Sequence, residues 1–223
     1  MFFEYPKATS FGRKIPKSKF YENAKLNTKL KDKFINQIDK IVWQYKLAPN
    51  TLNLDATKAV PEIQILDLFL KTKEVDLDIL TLIDKAIPLP IIFQIHYENK
   101  IKIKAAYKRP VESDNDKLVF DSYIESHWEA HNVLRQPLPQ ALNLEKLYES
   151  LLTELIPVEF KSNEKKENIG IQLDIIKQTK LLKKDIETLN MKYKQEKQRN
   201  RQFEINKQIK LKQKELDKLN NRD

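Results

Sequence analysis

From residue 171 to residue 221 the chain contains neither proline nor glycine, and leucine and isoleucine recur along it at helical intervals. A stretch free of the two strongest helix breakers, with an apolar residue every few positions, is confined to helix. Ile175, Leu182 and Leu189 recur every seven residues, with Ile186 and Tyr193 between and after them. Ile205, Ile209, Leu216 and Leu219 lie in a second register, and Lys194 to Gln202 holds no apolar residue at all. Two segments with offset seams predict an antiparallel helical hairpin, a short coiled coil, or one long helix with a stutter. About two heptads per segment is short for a free-standing coiled coil. Packing of the segments on each other, on the rest of the chain or on a second copy is therefore expected.

Composition then removes whole classes of function. With two glycines in 223 residues, no Gly-rich phosphate loop of a dinucleotide fold or P-loop exists. The absence of cysteine excludes disulfides, thiol catalysis and thiolate metal sites. No run approaches the roughly 18 apolar residues of a membrane span. The start, Met1 to Lys7, has no apolar signal-peptide core. A soluble, cytoplasmic protein without a membrane partner is the expectation. Charge is uneven: residues 1–47 hold 11 Lys/Arg against 4 Asp/Glu, residues 48–160 hold 12 against 18, and residues 161–223 hold 18 against 10. Two basic ends, +7 and +8, thus flank an acidic middle of −6. That pattern suits a polyanionic partner.

Along the chain, Pro6, Gly12 and Pro16 keep residues 1–24 extended. Phe2, Phe3, Tyr5, Phe11, Phe20 and Tyr21 would pin this arm, leaving Arg13, Lys14, Lys17 and Lys19 outward. Leu30, Phe34, Ile38, Ile41, Val42 and Tyr45 predict a helix over 28–46, with Asn27 as N-cap and Pro49 as stop. Residues 62–71 read as a strand apolar on both faces, hence central. Asp76 caps a helix over 77–86, closed by Pro88. Ile91–Tyr97 and Lys100–Tyr107 form a hairpin around Glu98-Asn99, with Asn99 suited to positive φ. Strict alternation in the second strand puts Lys100, Lys102 and Lys104 on a solvated face and Ile101, Ile103 and Ala105 in the core. Residues 110–117 read as a loop, 118–125 as a strand, and Leu144 to Leu155 as a helix ended before Pro157. The fold class is α+β with a mostly antiparallel sheet over residues 1–160, followed by a basic helical region over 161–223.

Four constellations are candidates for chemistry. His127-Trp128-Glu129-Ala130-His131 spaces two imidazoles four apart, but Glu is not directly after the first His as in a zincin. A proline-rich connector follows, which disfavours a helix there, and no metal is assigned. Asp67, Lys71 and Glu62 share one strand in the manner of a metal-dependent nuclease, yet Glu62 and Asp67 have opposite parity and point to opposite faces. The Lys100/Lys102/Lys104 stripe could contact phosphate. Lys194, Lys197, Arg199 and Arg201 sit where the apolar seam lapses; at a hairpin tip, four cations would project together toward a phosphate backbone or an acidic protein. No cofactor is implied.

Longer phrases carry a family resemblance: Phe11-Gly12-Arg13 through Pro16 to Tyr21, Ile41 to Pro49, Pro61 to Gln64, Ile83 to Pro88, and Ala105 to Pro110. Pro137-Leu138-Pro139, Leu147-Tyr148, Leu155-Ile156-Pro157 and Glu196-Lys197-Gln198 extend it through the tail. Together they resemble domain of unknown function 4391, an uncharacterised bacterial family. The resemblance implies genes lying beside restriction-type helicases and DNA methyltransferases, and so a role in restriction-modification or phage defence. The leading expectation is a non-catalytic, DNA-associated accessory subunit that touches nucleic acid or a helicase or methyltransferase partner through Arg13, Lys14, Lys17, Lys19, Lys194, Lys197, Arg199 and Arg201. A metal-dependent nuclease and an oligomeric adaptor joined through the tail are the alternatives.

Overall fold

A computed structural model describes residues 2–21, 28–111, 114–120, 122–157, 160 and 169–220. The chain divides into two compact units, Met1–Ile156 and Pro157–Asp223.

The first unit opens with β1 (Phe3–Glu4), one turn of 3-10 helix (Lys7–Thr9), β2 (Ser10–Ile15) and a single helical turn, α1 (Ser18–Tyr21). Then come α2 (Thr28–Gln37), β3 (Ile38–Leu47), α3 (Pro49–Leu52), β4 (Ile63–Leu70), α4 (Leu77–Ala86), β5 (Ile91–Tyr97) and β6 (Lys100–Ala105). The unit closes with β7 (Lys108–Val111), β8 (Asp114–Phe120), β9 (Ile124–Glu125), β10 (Glu129–Ala130), β11 (Gln136–Pro137) and α5 (Leu144–Thr153). The main sheet runs β10-β6-β5-β4-β3-β2, with β9 also pairing β6. Every pairing in it is antiparallel except β4–β5, which α4 connects. The protein is therefore α+β with a mostly antiparallel sheet.

The sheet is covered on both faces. On one, Phe34 of α2 and Ile79, Leu80 and Ile83 of α4 pack with Ile41, Leu66, Leu68, Phe93 and Ile95. On the other, Ile63, Ile65, Ile92, Ile103 and Ala105 are buried as well. Burying a residue of this size removes about 1.5–3 kcal/mol of unfavourable hydration, so a sheet buried on both sides anchors the unit.

Two expectations about this unit change. The helix over 28–46 ends at Gln37, and Ile38–Leu47 is a sheet strand. Its register shifts between Ile38 and Lys40 and again between Trp43 and Tyr45. The first bulge places Ile38 on the same face as Ile41, a spacing of three that imitates a helix. Asn27 lies outside the described residues. The N-terminal arm is extended and pinned, with Phe2, Phe3, Tyr5 and Phe20 buried, and its β2 forms an edge strand of the main sheet, paired with β3. Its Gly12 has φ +62 within the bulge between Ser10 and Arg13, a left-handed conformation that glycine adopts without strain. Finally, the segment read as a loop at 110–117 and a strand at 118–125 is a separate two-stranded ribbon, β7–β8, followed by β9 in the main sheet.

The hairpin of β5 and β6 turns at Glu98-Asn99 as expected, although the left-handed residue is Glu98, with φ 51, and not Asn99. The helix over 77–86 forms with Asp76 at its N-cap position, although the Asp76 carboxylate bonds Gln37 and Lys33 and not the helix amides, and the helix from Leu144 runs to Thr153, with the Asn143 side chain accepting from the Lys146 amide at its N-terminus.

The second unit contains α6 (Ile169–Gln195) and α7 (Arg199–Asn220), joined by Glu196–Gln198. Lys212 Nζ lies 2.7 Å from Asp185 Oδ2, so the helices run back along each other as an antiparallel hairpin. Leu216 is buried, and Leu182, Ile186, Leu189, Ile205, Ile209 and Leu219 are half-buried along the seam. Tyr193, expected in that seam, is exposed near the turn.

Candidate functional site

The lysine stripe of β6 overturns a sequence expectation. Lys100 is exposed, but Lys102 and Lys104 are only 3% and 8% exposed. Lys102 Nζ lies 2.7 Å from Glu74 Oε2 and 3.3 Å from Glu125 Oε2, and Lys104 Nζ lies 2.9 Å from Glu125 Oε2. Trp128 covers the pair: its ring lies 4.7 Å from Lys102 Nζ and its Nε1 donates to Glu74. Burial pushes the Glu74 and Glu125 carboxyls up, yet hydrogen bonds from the two lysines outweigh it and hold both below the usual glutamate range. Lys102 and Lys104 are thus neutralised, and they present no phosphate-binding face. The alternation was real, but the polar side of β6 is roofed by loops that its own period does not reveal.

A second buried lysine closes α4. Lys108 Nζ donates to the carbonyl oxygens of Asp84, Ile87 and Leu89 at 2.8–2.9 Å and pairs with Asp84 Oδ1 at 2.8 Å. The ammonium satisfies carbonyls that a helix C-terminus leaves without partners. Burial pushes the Asp84 carboxyl up and the Lys108 ammonium down from their ordinary values. Tyr123 donates to the other Asp84 oxygen, and the Tyr148 hydroxyl accepts from the Lys108 amide and donates to Ala106. This network is structural.

The basic residues named from sequence fall into two groups. In the first unit, Arg13 and Lys14 are exposed on the edge strand, and Lys19 is exposed beyond it. The Arg13 guanidinium sits 4.9 Å from the Phe11 ring, which in turn packs on Trp43. Lys17 departs from the group: it is half-buried and donates to the Ile38 carbonyl at 3.0 Å. Burial first, and neighbouring Lys71 second, hold its ammonium below the ordinary lysine value.

In the second unit, Lys194, Lys197, Arg199 and Arg201 gather at the turn, and all four are exposed. Among the described residues none of them has an ion-pair partner within 4 Å. The one carboxylate in the turn is engaged inward, with Glu196 Oε1 accepting from the Lys197 and Gln198 amides at 2.9 Å. Beside it lies an open groove of about 540 Å³, lined by Lys192, Gln195, Glu196, Lys197, Gln198, Arg201 and Ile205. Three cations and two amides outnumber the single carboxylate there, whose Oε1 already accepts two backbone amides, so the surface is net basic and suited to an oxyanion.

The nuclease and metal constellations do not assemble as spaced in the sequence. Glu62 pairs with Lys46 at 2.6 Å and accepts from Gln64, while Lys71 donates to the Ile35 carbonyl. Asp67 faces the opposite side of the sheet, beside Gln94 and His96 of β5. His127 and His131 are exposed and lie outside any helix. Sequence spacing missed the grouping that does form, because His96 and Asp67 come from different strands and meet only through the parallel pairing of β4 and β5. Same-face parity within each strand was the one signal available.

Fold and surface together define an α+β protein that carries a basic helical hairpin. The chain belongs to the family described as Domain of unknown function (DUF4391), whose model matches residues 3–216. No curated protein and no solved structure matches it.

Proposed function

We propose that this protein is a non-catalytic accessory subunit that holds nucleic acid by its phosphate backbone through the tip of the helical hairpin. The observation that carries the reading is the exposed cluster of Lys194, Lys197, Arg199 and Arg201, without an ion-pair partner among the described residues, with Lys197 and Arg201 lining a net basic groove. Elsewhere, the buried lysines of the sheet are matched by carboxylates. Cations left unpaired at one point release counterions when they meet phosphates, and they read charge without reading bases. Arg13, Lys14 and Lys19 on and beside the edge strand offer a second set of cations for phosphates. The restriction-modification or phage-defence setting, with a helicase or methyltransferase partner, rests on the family resemblance.

The test is binding of arbitrary duplex DNA as a function of salt. Replacing the four tip cations by Gln should weaken binding and reduce the log–log salt slope by up to about 3–4, near one unit for each phosphate no longer neutralised. An unchanged slope in the variant would move the DNA-binding surface to Arg13, Lys14 and Lys19. No binding by the wild type at low salt would leave the hairpin as a protein-docking element, a reading favoured by Phe203 and Leu211, 70% and 55% exposed on α7. Light scattering of the full chain would then check for self-association.

A further inference from the structure

β2 ends the strand order of the main sheet, so among the described residues its outer edge has no partner strand. Its register breaks between Ser10 and Arg13, and the space that a side chain at Gly12 would fill is open to 4 Å. Across that break the Arg13 guanidinium lies over the Phe11 ring, 4.9 Å from its centre. The Phe11 ring in turn meets Trp43 at 4.5 Å, and Trp43 is packed against the core of the unit. The indole thus fixes the phenyl ring, and the phenyl ring fixes the guanidinium. Phe11 is 36% exposed, and Arg13, Lys14 and Lys19 are exposed. Among the described residues none of these three cations has an ion-pair partner within 4 Å. A planar cation laid on an aromatic ring stacks by one face and keeps the other for a second ring.

We infer that this edge binds an unpaired nucleotide of single-stranded DNA, its base stacked on the Arg13–Phe11 pair and its flanking phosphates met by Lys14 and Lys19. The inference rests on the nucleic-acid reading above, lies in the other compact unit, and adds base contact to charge. In a duplex each base is covered on both faces by its neighbours, so a side chain can stack only on an unpaired or terminal base. Aromatic rings and guanidinium planes accept any base, because every base has a π-face. Lys14 follows Arg13 in the strand with opposite parity, pairing with Val42 where Arg13 pairs with Trp43. A nucleic-acid strand crossing the edge therefore lays its base on the Arg13 side and a phosphate on the Lys14 side. Nothing in that arrangement calls for a ribose 2′-hydroxyl, so the partner is DNA. A peptide adding to the edge as a further strand would need an unbroken row of backbone groups, which the break at Gly12 interrupts.

The experiment measures fluorescence anisotropy of a labelled oligothymidylate against the full chain carrying Gln at the four tip cations, so that the hairpin does not contribute. An abasic strand of equal length and charge, the corresponding duplex and the RNA counterpart are the comparison probes. The oligothymidylate should bind about fivefold or more tighter than the abasic strand and the duplex, as stacking of one base contributes. Arg13→Lys keeps the charge and loses the plane. It should weaken oligothymidylate binding about fivefold or more, with abasic-strand binding and the melting temperature unchanged. Phe11→Leu, which removes the ring beneath the guanidinium, should weaken oligothymidylate binding in the same direction. No binding of the oligothymidylate, equal affinity for it and the abasic strand, unchanged affinity in Arg13→Lys, or binding confined to the RNA would each overturn the inference. The hairpin reading is decided separately, by whether duplex binding is lost when the tip cations alone are replaced.

Discussion

In the α+β unit, Lys102, Lys104 and Lys108 are buried, and each meets a carboxylate within 3 Å. In the hairpin, Lys194, Lys197, Arg199 and Arg201 are exposed and, among the described residues, meet none within 4 Å. The two sets carry the same charge and do opposite work. A buried ammonium must be paired and hydrogen-bonded to offset its desolvation, so it becomes part of the architecture. An exposed, unpaired cluster contributes little to folding and leaves its full field for a partner. Charge counted along the chain does not separate the two roles; burial does.

The largest test of this contrast is Lys108→Met, which keeps side-chain bulk but leaves Asp84 uncompensated and the end of α4 uncapped. A loss of about 3–5 kcal/mol is expected in a urea titration, as for breaking a buried ion pair from one side. Next, Ile103→Ala should cost on the order of 2–5 kcal/mol as a core truncation. Lys102→Ala, which would be almost silent on a solvated strand face, should cost about 1.5–3 kcal/mol, since it removes charge-assisted bonds beneath Trp128. Near-equal stability of wild type and Lys102→Ala would place that lysine back among surface residues.

Acid should separate the two units further. The folded-state values of Glu74 and Glu125 lie below the ordinary glutamate value of 4.5. Their contribution to stability is therefore complete above that value and is lost as pH falls through the depressed folded values. Stability measured between about pH 5 and 3 should fall more steeply in the wild type than in Glu125→Gln. The smallest effect belongs to the hairpin: the four-Gln variant of the tip should fold within about 0.5 kcal/mol of wild type, because no seam residue changes. A large loss there would show that the tip cations support the turn.

The resemblance phrases gain a physical meaning from the same contrast. Ile83 to Pro88, Ala105 to Pro110 and Leu147-Tyr148 are distant in sequence and converge on the Asp84–Lys108–Tyr148 network. The phrase Glu196-Lys197-Gln198 forms the hairpin turn, where the glutamate receives the next two amides. One group of phrases marks a buried ion network and the other a turn that displays cations.

Local pattern determined much of this protein. The lack of Pro and Gly beyond residue 170 made the tail helical, and the lapse of apolar residues over Lys194–Gln202 marked where it turns. The apolar run of β4, the helix over 77–86 and the β5–β6 hairpin were equally legible, because the residues of each element carry its own pattern. Tertiary structure decided what depends on distant partners. Pairing with β4 made residues 38–47 a strand and not a helix, and Glu74, Trp128 and Glu125 of β9 buried a lysine face that alternation had placed in water. Pairing of two parallel strands brought Asp67 beside His96, and the β10–β6 pairing brought His131 to the same face. Periodicity reports which side of a strand a residue occupies; what covers that side is set by chain segments tens of residues away.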